Sequence, residues 1–560
     1  MLCPAFTVLL ATSLATPQEP RTSEVFSLQS LCAPPPPVLT PAWGTLLIDG
    51  RDRPPTNLVL ADSEQNPMLQ PDDVVDLLRT WSAGATEAGR LELHAEGQQL
   101  TASGERAEIA IVRERLKALA LRTNRPVQIE LCVWDAADRE SPVAVLDAAA
   151  YLRFAGNRDP LWRCVTTTRH GIAVALEHMR WSRYVGDVDV EVAQKQTMND
   201  PVVRTYGEGT EAIVRPFQLA GGDDYVLHVQ FALGQRRGPV RSVATGVPNS
   251  PEIELPTLET AFGAFSGRVT NGGALAATLR GHASTGSAHI VTVRVVARTP
   301  VANTLQDGTV VLPIGALVSD GLTQRATPCE DFHDDSVPGE PQPGHDYFHP
   351  DRLTDLIRAE LGSDADSVGL RCMGGWLVAS GSPELLAKIA ASLQRLQDAA
   401  VRTVTFRHVT PIKPGPDEDA ATAPNLQDLT LPTLAGRELT IGRGLEMPVL
   451  ADINVEIAGE AGVLDPLVRL AQSGCWLRAR VAPVGDDMDL QMTLLGRHLA
   501  QPQSRSVMPG GMLMPTETWF DRANHAGTVG NGATVELGDG PTVLSEGRAR
   551  RTSQTISLRW

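Results

Sequence analysis

The stretch Asp187-Val-Asp-Val-Glu-Val-Ala193 alternates valines with acidic residues, and this period of two is typical of a half-buried β-strand. Asp452-Ile-Asn-Val-Glu-Ile-Ala458 repeats the pattern later in the chain. At the same spacing, Asp200-Pro-Val-Val-Arg204 returns as Asp465-Pro-Leu-Val-Arg469. The sequence therefore predicts a β-rich unit that occurs twice.

Other segments recur in the same order. Pro71-Asp-Asp-Val-Val-Asp-Leu-Leu-Arg79 is matched by Pro350-Asp-Arg-Leu-Thr-Asp-Leu-Ile-Arg358, and Leu100-Thr-Ala-Ser-Gly104 is matched by Leu377-Val-Ala-Ser-Gly381. Collinear matches of this kind indicate an internal repeat. We therefore predict a tandem duplication in which each copy has two parts.

The first part of each copy has the pattern of a small α+β module. Apolar residues recur at helical spacing, then with a period of two, then again at helical spacing, and finally with a period of two. In the first copy these sets are Val74, Val75, Leu77, Leu78 and Trp81; Leu91, Leu93 and Leu100; Ile109, Val112, Leu116 and Leu119; and Val127, Ile129, Leu131 and Val133. In the second copy the closing strand contains Val404 and Phe406. We predict modules at residues 67–135 and 349–410, in the order helix, strand, strand, helix, strand, with both helices on one face of the sheet.

The second part of each copy is β-rich in pattern. The alternating apolar sets are Tyr225, Leu227, Val229 and Phe231 in the first copy and Met488, Leu490, Met492 and Leu494 in the second. Asn271-Gly272 and Asn531-Gly532 each follow a strand-like segment, and Asn-Gly favours the positive φ angles of a tight hairpin turn. We predict β cores at residues 136–298 and 431–560. The predicted fold class is thus α+β, with two tandem copies of a module followed by a β-rich core.

The remaining segments have the composition of an export signal and of linkers. Residues 1–15, MLCPAFTVLLATSLA, hold a short apolar run with Ser13 and Ala15 before a cleavage point, which predicts a signal peptide and an exported chain. A misassigned start or a disordered N-terminus is the alternative. We expect residues 16–66 to form a Pro-rich arm, residues 299–348 a linker and residues 411–430 a hinge.

The net charge of −17 restricts the classes of partner. An acidic surface is repelled by phosphates, so we expect no nucleic acid as a partner. No stretch is apolar for long enough to form a transmembrane helix, so any association with an outer membrane would not use one. The seven cysteines form no C-x-x-C pair, and their pairing cannot be deduced from their spacing.

Taken together, these segments resemble the secretin family of type II and type III secretion systems. The module is similar to the secretin N-domain, while Asp187–Ala193, Asp223-Asp-Tyr-Val-Leu-His-Val229 and Val269-Thr-Asn-Gly-Gly273 resemble parts of the secretin β core. The resemblance covers most of residues 67–298 and 346–560. It implies modules that pack side by side into rings, a periplasmic or outer-membrane location, and protein partners or self-association. It implies no cofactor and no catalytic residue.

One acidic segment could bind a divalent metal. Cys329, His333, His345, Asp346 and His349 lie close together in the sequence and are of ligand type. The prolines among them favour a solvated linker instead, and no strong ligand spacing is met. We therefore predict no metal site.

Two pairs of acids stand at equivalent places in the copies. Asp223-Asp224 and Asp486-Asp487 could be catalytic carboxylates or Ca²⁺ ligands. Gly-Gly-Asp-Asp and Val-Gly-Asp-Asp before a strand are more typical of hairpin turns. We predict turns here, and no catalytic or cofactor-binding residue.

Motifs for nucleophiles and for phosphate binding are absent from the sequence. It contains no G-x-S-x-G, no H-E-x-x-H and no Walker loop. His170 and His178 have no partner nearby in the sequence and are predicted to be packing or surface residues. The tryptophans predicted to anchor the β cores are Trp162, Trp181, Trp476 and Trp519.

These features favour a non-catalytic, exported, secretin-like envelope protein that works through self-association or partner contacts at sheet edges. A lipid-facing hairpin needs strands of about 9–11 residues with alternate positions apolar, and the sequence shows no such pair. The alternative is a monomeric periplasmic or secreted scaffold that has lost pore formation. An enzyme with an unfamiliar site is a third hypothesis.

Overall fold

The computed structural model describes residues 21–32, 39–40, 48–49, 56–57, 69–87, 89–136, 144–156, 158–193, 196–244, 251–280, 288–297, 304–305, 308–318, 348–411, 425–458, 461–499, 505–508, 511–513, 518–545 and 548–560. The predicted signal peptide, residues 1–15, lies outside them. The chain forms two compact units, of which the first comprises residues 1–34 and 68–124 and the second residues 35–67 and 125–560. Among the described residues, none of the helices combines the length and the apolar character that crossing a bilayer would take.

The first half of the chain alternates short helices with strands and then becomes almost wholly β. Up to residue 124 the elements are β1 (Thr22–Ser27), α1 (Gln29–Cys32), β2 (Leu39–Thr40), β3 (Ile48–Asp49), β4 (Thr56–Asn57), α2 (Pro71–Trp81), α3 (Ala83–Glu87), β5 (Leu91–Glu96), β6 (Gln99–Gly104) and α4 (Arg106–Thr123). There follow β7 (Val127–Asp135), β8 (Val145–Leu146), α5 (Ala148–Ala155), β9 (Trp162–Thr168), β10 (Val174–Ala193), β11 (Gln196–Gln218), β12 (Asp224–Arg236), β13 (Arg241–Val243), β14 (Ile253–Leu255), β15 (Leu258–Thr270), β16 (Ala274–Arg280), β17 (Ala288–Ala297), β18 (Thr304–Leu305), β19 (Thr309–Pro313) and α6 (Gly315–Val318).

The second half of the chain continues the series. It contains α7 (Pro350–Leu361), a 3₁₀ helix (Gly362–Ser367), β20 (Gly369–Met373), β21 (Trp376–Ser380), α8 (Pro383–Ala400), β22 (Thr403–Pro411) and β23 (Asn425–Leu434). It ends with β24 (Glu438–Ala458), β25 (Ala461–Val484), β26 (Asp487–Leu499), β27 (Arg505–Met508), β28 (Gly511–Leu513), β29 (Thr518–Val529), β30 (Thr534–Ser545) and β31 (Arg548–Arg559).

The first unit is a small α+β module with a three-stranded sheet in the order β1-β6-β5. The helix α2 begins with Pro71, whose fixed φ suits the first helical position, and Asp73 accepts a hydrogen bond from the backbone N–H of Gln70 (3.3 Å). The apolar stripes predicted for α2 and α4 are buried except for Trp81, which is partly exposed; their fully or nearly fully buried members include Val74, Leu78, Val112 and Leu119.

One strand of this module differs from the prediction. The third strand is β1, from the segment expected to be an arm, and it pairs with β6 from Thr22↔Gly104 to Ser27↔Gln99. The predicted closing strand, β7, pairs instead with β17 and β9 in the second unit. The prediction was wrong in this detail because a period of two identifies a strand without identifying the neighbour that completes its hydrogen bonds.

The second unit is built on two nine-stranded antiparallel sheets. In the first large sheet the order is β10-β11-β12-β15-β24-β25-β26-β29, and β3 also pairs with β11. In the second large sheet the order is β30-β31-β22-β23-β16-β17-β7-β9, and β8 also pairs with β16. One hydrophobic cluster contains residues of both sheets, among them Tyr225, Phe231, Leu477 and Phe406. The alternating apolar sets predicted for β12 and β26 are buried in this cluster.

The two halves of the first large sheet have matching pairing patterns. The β10–β11 hairpin closes at Ala193↔Gln196 and has a bulge after Val185, where the next pair is Asp187↔Val202. The β24–β25 hairpin closes at Ala458↔Ala461 and has a bulge after Leu450, where the next pair is Asp452↔Leu467. The bulges thus fall at equivalent positions of the two hairpins.

The predicted Asn-Gly turns are present, but they do not close hairpins. Gly272 and Gly532 have φ of +85° and +74°, as such turns require. Each turn carries the chain from the first large sheet into the second, because β15 and β29 belong to the first and β16 and β30 to the second. Turn chemistry fixes the local φ values, whereas β15 already has partners on both edges and cannot pair with β16.

The second module forms part of the second unit. Its sheet has the order β18-β19-β21-β20, and β19 pairs with β21 from Thr309↔Ser380 to Pro313↔Trp376. The strand β19 comes from residues predicted to be a linker. The predicted closing strand β22 pairs with β23 and β31 in the second large sheet. In both modules, therefore, the predicted closing strand joins the second large sheet, and a strand from an earlier segment takes its place in the module.

A buried amide connects the second module to the β11–β12 turn. Gln397 on α8 is fully buried; its Nε2 donates to the carbonyl oxygen of Pro313 (2.8 Å), and its Oε1 accepts from the backbone N–H of Ala220 (2.8 Å). Apolar residues of β11, β19, α7 and α8, including Phe217 and Leu393, form one buried cluster across the elements that it connects. One side chain therefore satisfies backbone groups on two separate elements.

Replacing this amide should destabilise the second unit. In Gln397→Leu the N–H of Ala220 and the carbonyl of Pro313 lose their partners inside an apolar cluster, and we expect a loss of about 2–4 kcal/mol in the free energy of unfolding. Urea denaturation followed by tryptophan fluorescence measures it. Gln394→Ala, a more exposed change on the same helix, should cost less than about 1 kcal/mol; equal losses for the two variants would contradict the role of Gln397.

Candidate functional site

The predicted metal-type segment is only partly described. Cys329, His333, His345 and Asp346 lie outside the described residues. His349 precedes α7, where its Nδ1 accepts a hydrogen bond from the backbone N–H of Asp351 (3.4 Å). Within the described part of the chain, no three His, Cys, Asp or Glu side chains come together as metal ligands would.

The paired acids lie in turns between long strands. Asp223 and Asp224 end the β11–β12 turn, and Asp486 and Asp487 occupy the equivalent turn between β25 and β26. Asp224 accepts from Nε of Arg268 (2.9 Å), whose NH1 also donates to Asp398 of α8 (2.6 Å). These contacts give Asp224 a structural role: it holds Arg268, and Arg268 joins β15 to the second module.

The two histidines considered in the sequence lie in different surroundings. His170 is buried, its Nδ1 accepts from the backbone N–H of Gln218 (3.0 Å), and its ring lies 4.5 Å from that of Trp376 between centroids. Burial lowers the pKa of His170 to about 4. His178 is exposed on β10. His170 therefore packs against the second module, and His178 faces solvent.

The tryptophans predicted to anchor the cores do not all do so. Trp476 is buried, and Trp162 packs against the shared core with its ring stacked on His289 (6.5 Å between centroids). Trp181 is 52% exposed, so the prediction was wrong for this residue. Trp519 lies on β29, and its side chain is outside the described residues.

Each large sheet ends in strands with one unpaired edge. In the described part of the chain, no strand pairs with the outer edge of β10 or β29 in the first large sheet, nor with that of β9 or β30 in the second. Every neighbouring pair of strands is antiparallel, so β10 and β29 run in opposite directions. Strand β9 leads directly into β10, and β29 leads directly into β30. One end of the two-sheet structure therefore presents β9 and β10, and the other end presents β29 and β30.

A shallow cleft of about 590 Å³ follows the edge of β10. The residues that line it are Trp162, Glu177, His178, Met179, Arg180 and Glu208. They supply both charges and apolar surface along an edge whose backbone groups lack a strand partner, and this combination suits the addition of another strand.

Two carboxyl groups oppose each other beside this cleft. Glu177 on β10 is directly opposite Glu211 on β11, and like charges at such positions repel. Glu211 is only 4% exposed, and its Oε2 has no hydrogen-bond partner. Burial, and secondly the charge of Glu177, raise the pKa of Glu211 to about 8. The edge of the sheet thus holds a carboxyl group that favours the protonated form.

The two halves of the first large sheet meet in an internal seam. It consists of the pairing of β15 with β24, from Leu258↔Glu446 to Ala264↔Thr440. Arg443 and Glu259 form an ion pair across it, and both side chains are nearly inaccessible to solvent. Burial, and then the charge of Arg443, lower the pKa of nearby His289 to about 4. The internal seam therefore places a buried ion pair close to His289 of the second large sheet.

Sequence reasoning did not single out Glu211, Glu259 or Arg443. The hydrophobic period of two shows where a strand lies, but a single charged residue within it looks like a solvated position. A usable signal lies in the comparison of the two hairpins, β10–β11 and β24–β25. Their matched pairing patterns place Glu177 and Glu211 at the positions of Gly442 and Trp476, so the charges belong to the first hairpin alone.

Comparisons with known proteins found only distant similarity. No protein-family model matches the chain, and no curated protein matches it. Among solved structures, the chain is similar to the InvG secretin domain β-barrel from the Salmonella SPI-1 injectisome, with 12% identity over 51% of this chain and 91% of that one and a TM-score of 0.23. It is also similar to the type II secretion system secretin GspD of E. coli K12, with 9% identity, coverage of 97% and 90%, and a TM-score of 0.20. The Klebsiella pneumoniae type II secretion system outer membrane complex of PulD, PulS and the PulC HR domain gives 10% identity, coverage of 99% and 76%, and a TM-score of 0.20.

Neutralising Glu211 should change how stability depends on pH. The folded chain holds this proton up to a pKa of about 8, whereas the unfolded chain releases it near 4.5, so stability is lost as the pH rises between these values. In Glu211→Gln the loss is absent, and at pH 9 we expect a gain on the order of 1–3 kcal/mol, with little change at pH 4.5. Urea unfolding at both pH values measures it, with the exposed Glu252→Gln as control. Equal stability of variant and native chain at pH 9 would refute the assignment.

Removing the titration of His289 should protect the chain against acid. Its folded pKa of about 4 lies below the ordinary 6.5, so the unfolded chain binds the proton first and stability is lost as the pH falls between 6.5 and 4. His289→Phe keeps an aromatic ring beside Trp162 and cannot bind a proton, so its stability should fall less, by on the order of 1–3 kcal/mol. The control is His178→Phe at an exposed position. Parallel pH profiles for His289→Phe and the native chain would count against this explanation.

Proposed function

We propose that the chain is a non-catalytic, exported, secretin-like envelope protein that works by self-association. The sequence resemblance to secretins motivates the class. The observation that carries self-association is that, among the described strands, both large sheets end in unpaired edges: β9 and β10 at one end, β29 and β30 at the other. Because β10 and β29 run in opposite directions, β29 of one chain can add to β10 of another and continue the antiparallel order.

A tandem duplication forms part of this proposal. The sequence matches support it, and so do the equivalent bulges and hairpin closures of β10–β11 and β24–β25. Two such units side by side in one sheet already make the kind of edge-to-edge joint that association between chains would use. The proposed role is therefore that of a subunit with two core units, located in the periplasm or at the outer membrane.

The oligomeric state of the full chain tests the proposal. We expect multimers at micromolar concentration in a mild detergent, by size-exclusion chromatography with light scattering and by negative-stain imaging. Ala175→Lys places a charge at an exposed position on the edge of β10 and should lower the fraction of multimer, whereas Ala110→Lys, at an exposed position on α4, should not. A compact monomer under all conditions would instead support the monomeric scaffold.

A further inference from the structure

We propose that a second copy of this chain docks its β29 against β10 in the register of the internal seam, with Arg522 opposite Glu177. This inference rests on the proposed self-association and names the surface, the partner strand and the register. We call the joint between two chains the external seam. At the internal seam β15 pairs with β24. At the external seam β29 takes the place of β15, and β10 takes the place of β24.

The register follows from pairings within the chain. Strand β15 pairs with β12 from Asp224↔Thr270 to Arg236↔Leu258, and twelve of these pairs run from Tyr225↔Val269 to the end. Strand β29 pairs with β26 from Met488↔Val529 to Leu499↔Thr518 over the same number of residues. Val529 is thus the equivalent of Val269, and Thr518 that of Leu258. Counting inward from either end places Arg522 at the position of Phe262.

The equivalence of β10 and β24 is fixed by their hairpins. Both hairpins have the bulge at the same distance from the closing pair, which makes Asp452 the equivalent of Asp187. Counting back along the strands makes Gly442 the equivalent of Glu177. At the internal seam Phe262 is opposite Gly442. Replacing Phe262 by its equivalent Arg522, and Gly442 by its equivalent Glu177, places Arg522 opposite Glu177.

The residues brought together by this register are chemically complementary. Arg522 is opposite Glu177, a pair of opposite charges that is favourable at directly opposed positions. Trp519 is opposite Arg180, a combination suited to a cation–π contact, and Phe520 is opposite Met179, suited to a sulfur–aromatic contact. The internal seam has none of these pairs at the equivalent places, where Glu259 is opposite Leu445 and Thr260 is opposite Gly444.

The external seam accounts for two features of the isolated chain. The cleft along β10 is lined by Glu177, His178, Met179 and Arg180, which are residues that this register covers. Glu177 and Glu211 are directly opposite each other, and in the described part of the chain Oε2 of Glu211 has no hydrogen-bond partner. A guanidinium group at the position of Arg522 supplies a positive charge opposite Glu177 and beside Glu211, whose carboxyl group is costly to ionise in the separate chain.

The second large sheet has a matching arrangement. Its two halves are joined by β23 and β16, with Thr278 opposite Thr430. The pairing of β9 with β7 is equivalent to that of β23 with β22, since they begin at Val127↔Thr168 and Thr403↔Leu434. Strand β30 follows the Asn-Gly turn as β16 does. The strands β9 and β30 thus stand at the two ends as equivalents of β23 and β16, and one docking event joins both sheets.

Cysteine cross-linking between different chains tests the register. Chains carrying Met179→Cys are mixed with chains carrying Phe520→Cys, oxidised, and run on a non-reducing gel; we expect a disulfide-linked dimer in the mixture and not in either variant alone. The matched control pairs Met179→Cys with Asn524→Cys, which moves the second thiol by about 13 Å along the strand. We expect at least about tenfold less dimer in that mixture.

Charge reversal tests the pair itself. Glu177→Arg should weaken association by about tenfold or more, and adding Arg522→Glu should restore it to within about threefold. Glu114→Arg makes the same change of charge at an exposed position on α4 and should have no effect. Because Glu177→Arg removes the carboxylate opposed to Glu211, the variant should stay folded, which circular dichroism checks.

The outcomes separate the two proposals. Multimers that cross-link through Asn524, or that ignore the charge of residue 177, would overturn the register and leave self-association in place. Chains that never form multimers would overturn both.

Discussion

Seven residue pairs between β15 and β24 hold the first large sheet together, and the rest of the second unit depends on them. Their centre is the ion pair of Glu259 and Arg443, which is almost wholly buried. Each of these charges is costly to bury alone, so a shifted register that separated them would be strongly disfavoured. The pair therefore selects one alignment of the two halves. With that alignment set, the strands that follow on each side have fixed positions.

The modules add a second constraint, because the small sheet of each module needs a further strand to pair with its free edge. Neither module uses its own closing strand: β7 and β22 join the second large sheet, while β1 and β19, from segments ahead of each module, fill the vacant edges. A strand buried on both faces gains more in the large sheet than at a module edge. Gln397 then attaches the second module to the β11–β12 turn, so the exchange of strands is coupled to a specific buried contact.

Local structure can be predicted well from the sequence, whereas the long-range pairing of strands cannot. The stripe of α2, the alternation of β12 and the φ values at the Asn-Gly turns all follow from residue type and spacing, because they involve neighbours along the chain. The partner of β7 and the passage of the chain from β15 to β16 in another sheet depend on edges supplied by distant segments, about which spacing says nothing. For the same reason the candidate surface was anticipated only as a sheet edge. The burial of Glu211 and the exposure of Trp181 became visible only with the fold.

If each chain holds the two core units proposed above, a consequence for symmetry follows. A closed ring of such chains holds an even number of units, and its rotational order equals the number of chains, which is half the number of units. Joints within chains and joints between chains then alternate around the ring. The first kind carries Glu259 and Arg443; in the proposed register the second kind carries Trp519 and Arg522 at the positions of Glu259 and Phe262. An image average that treated every unit as identical would superimpose a carboxylate on an indole and would blur the residues that distinguish one joint from the next.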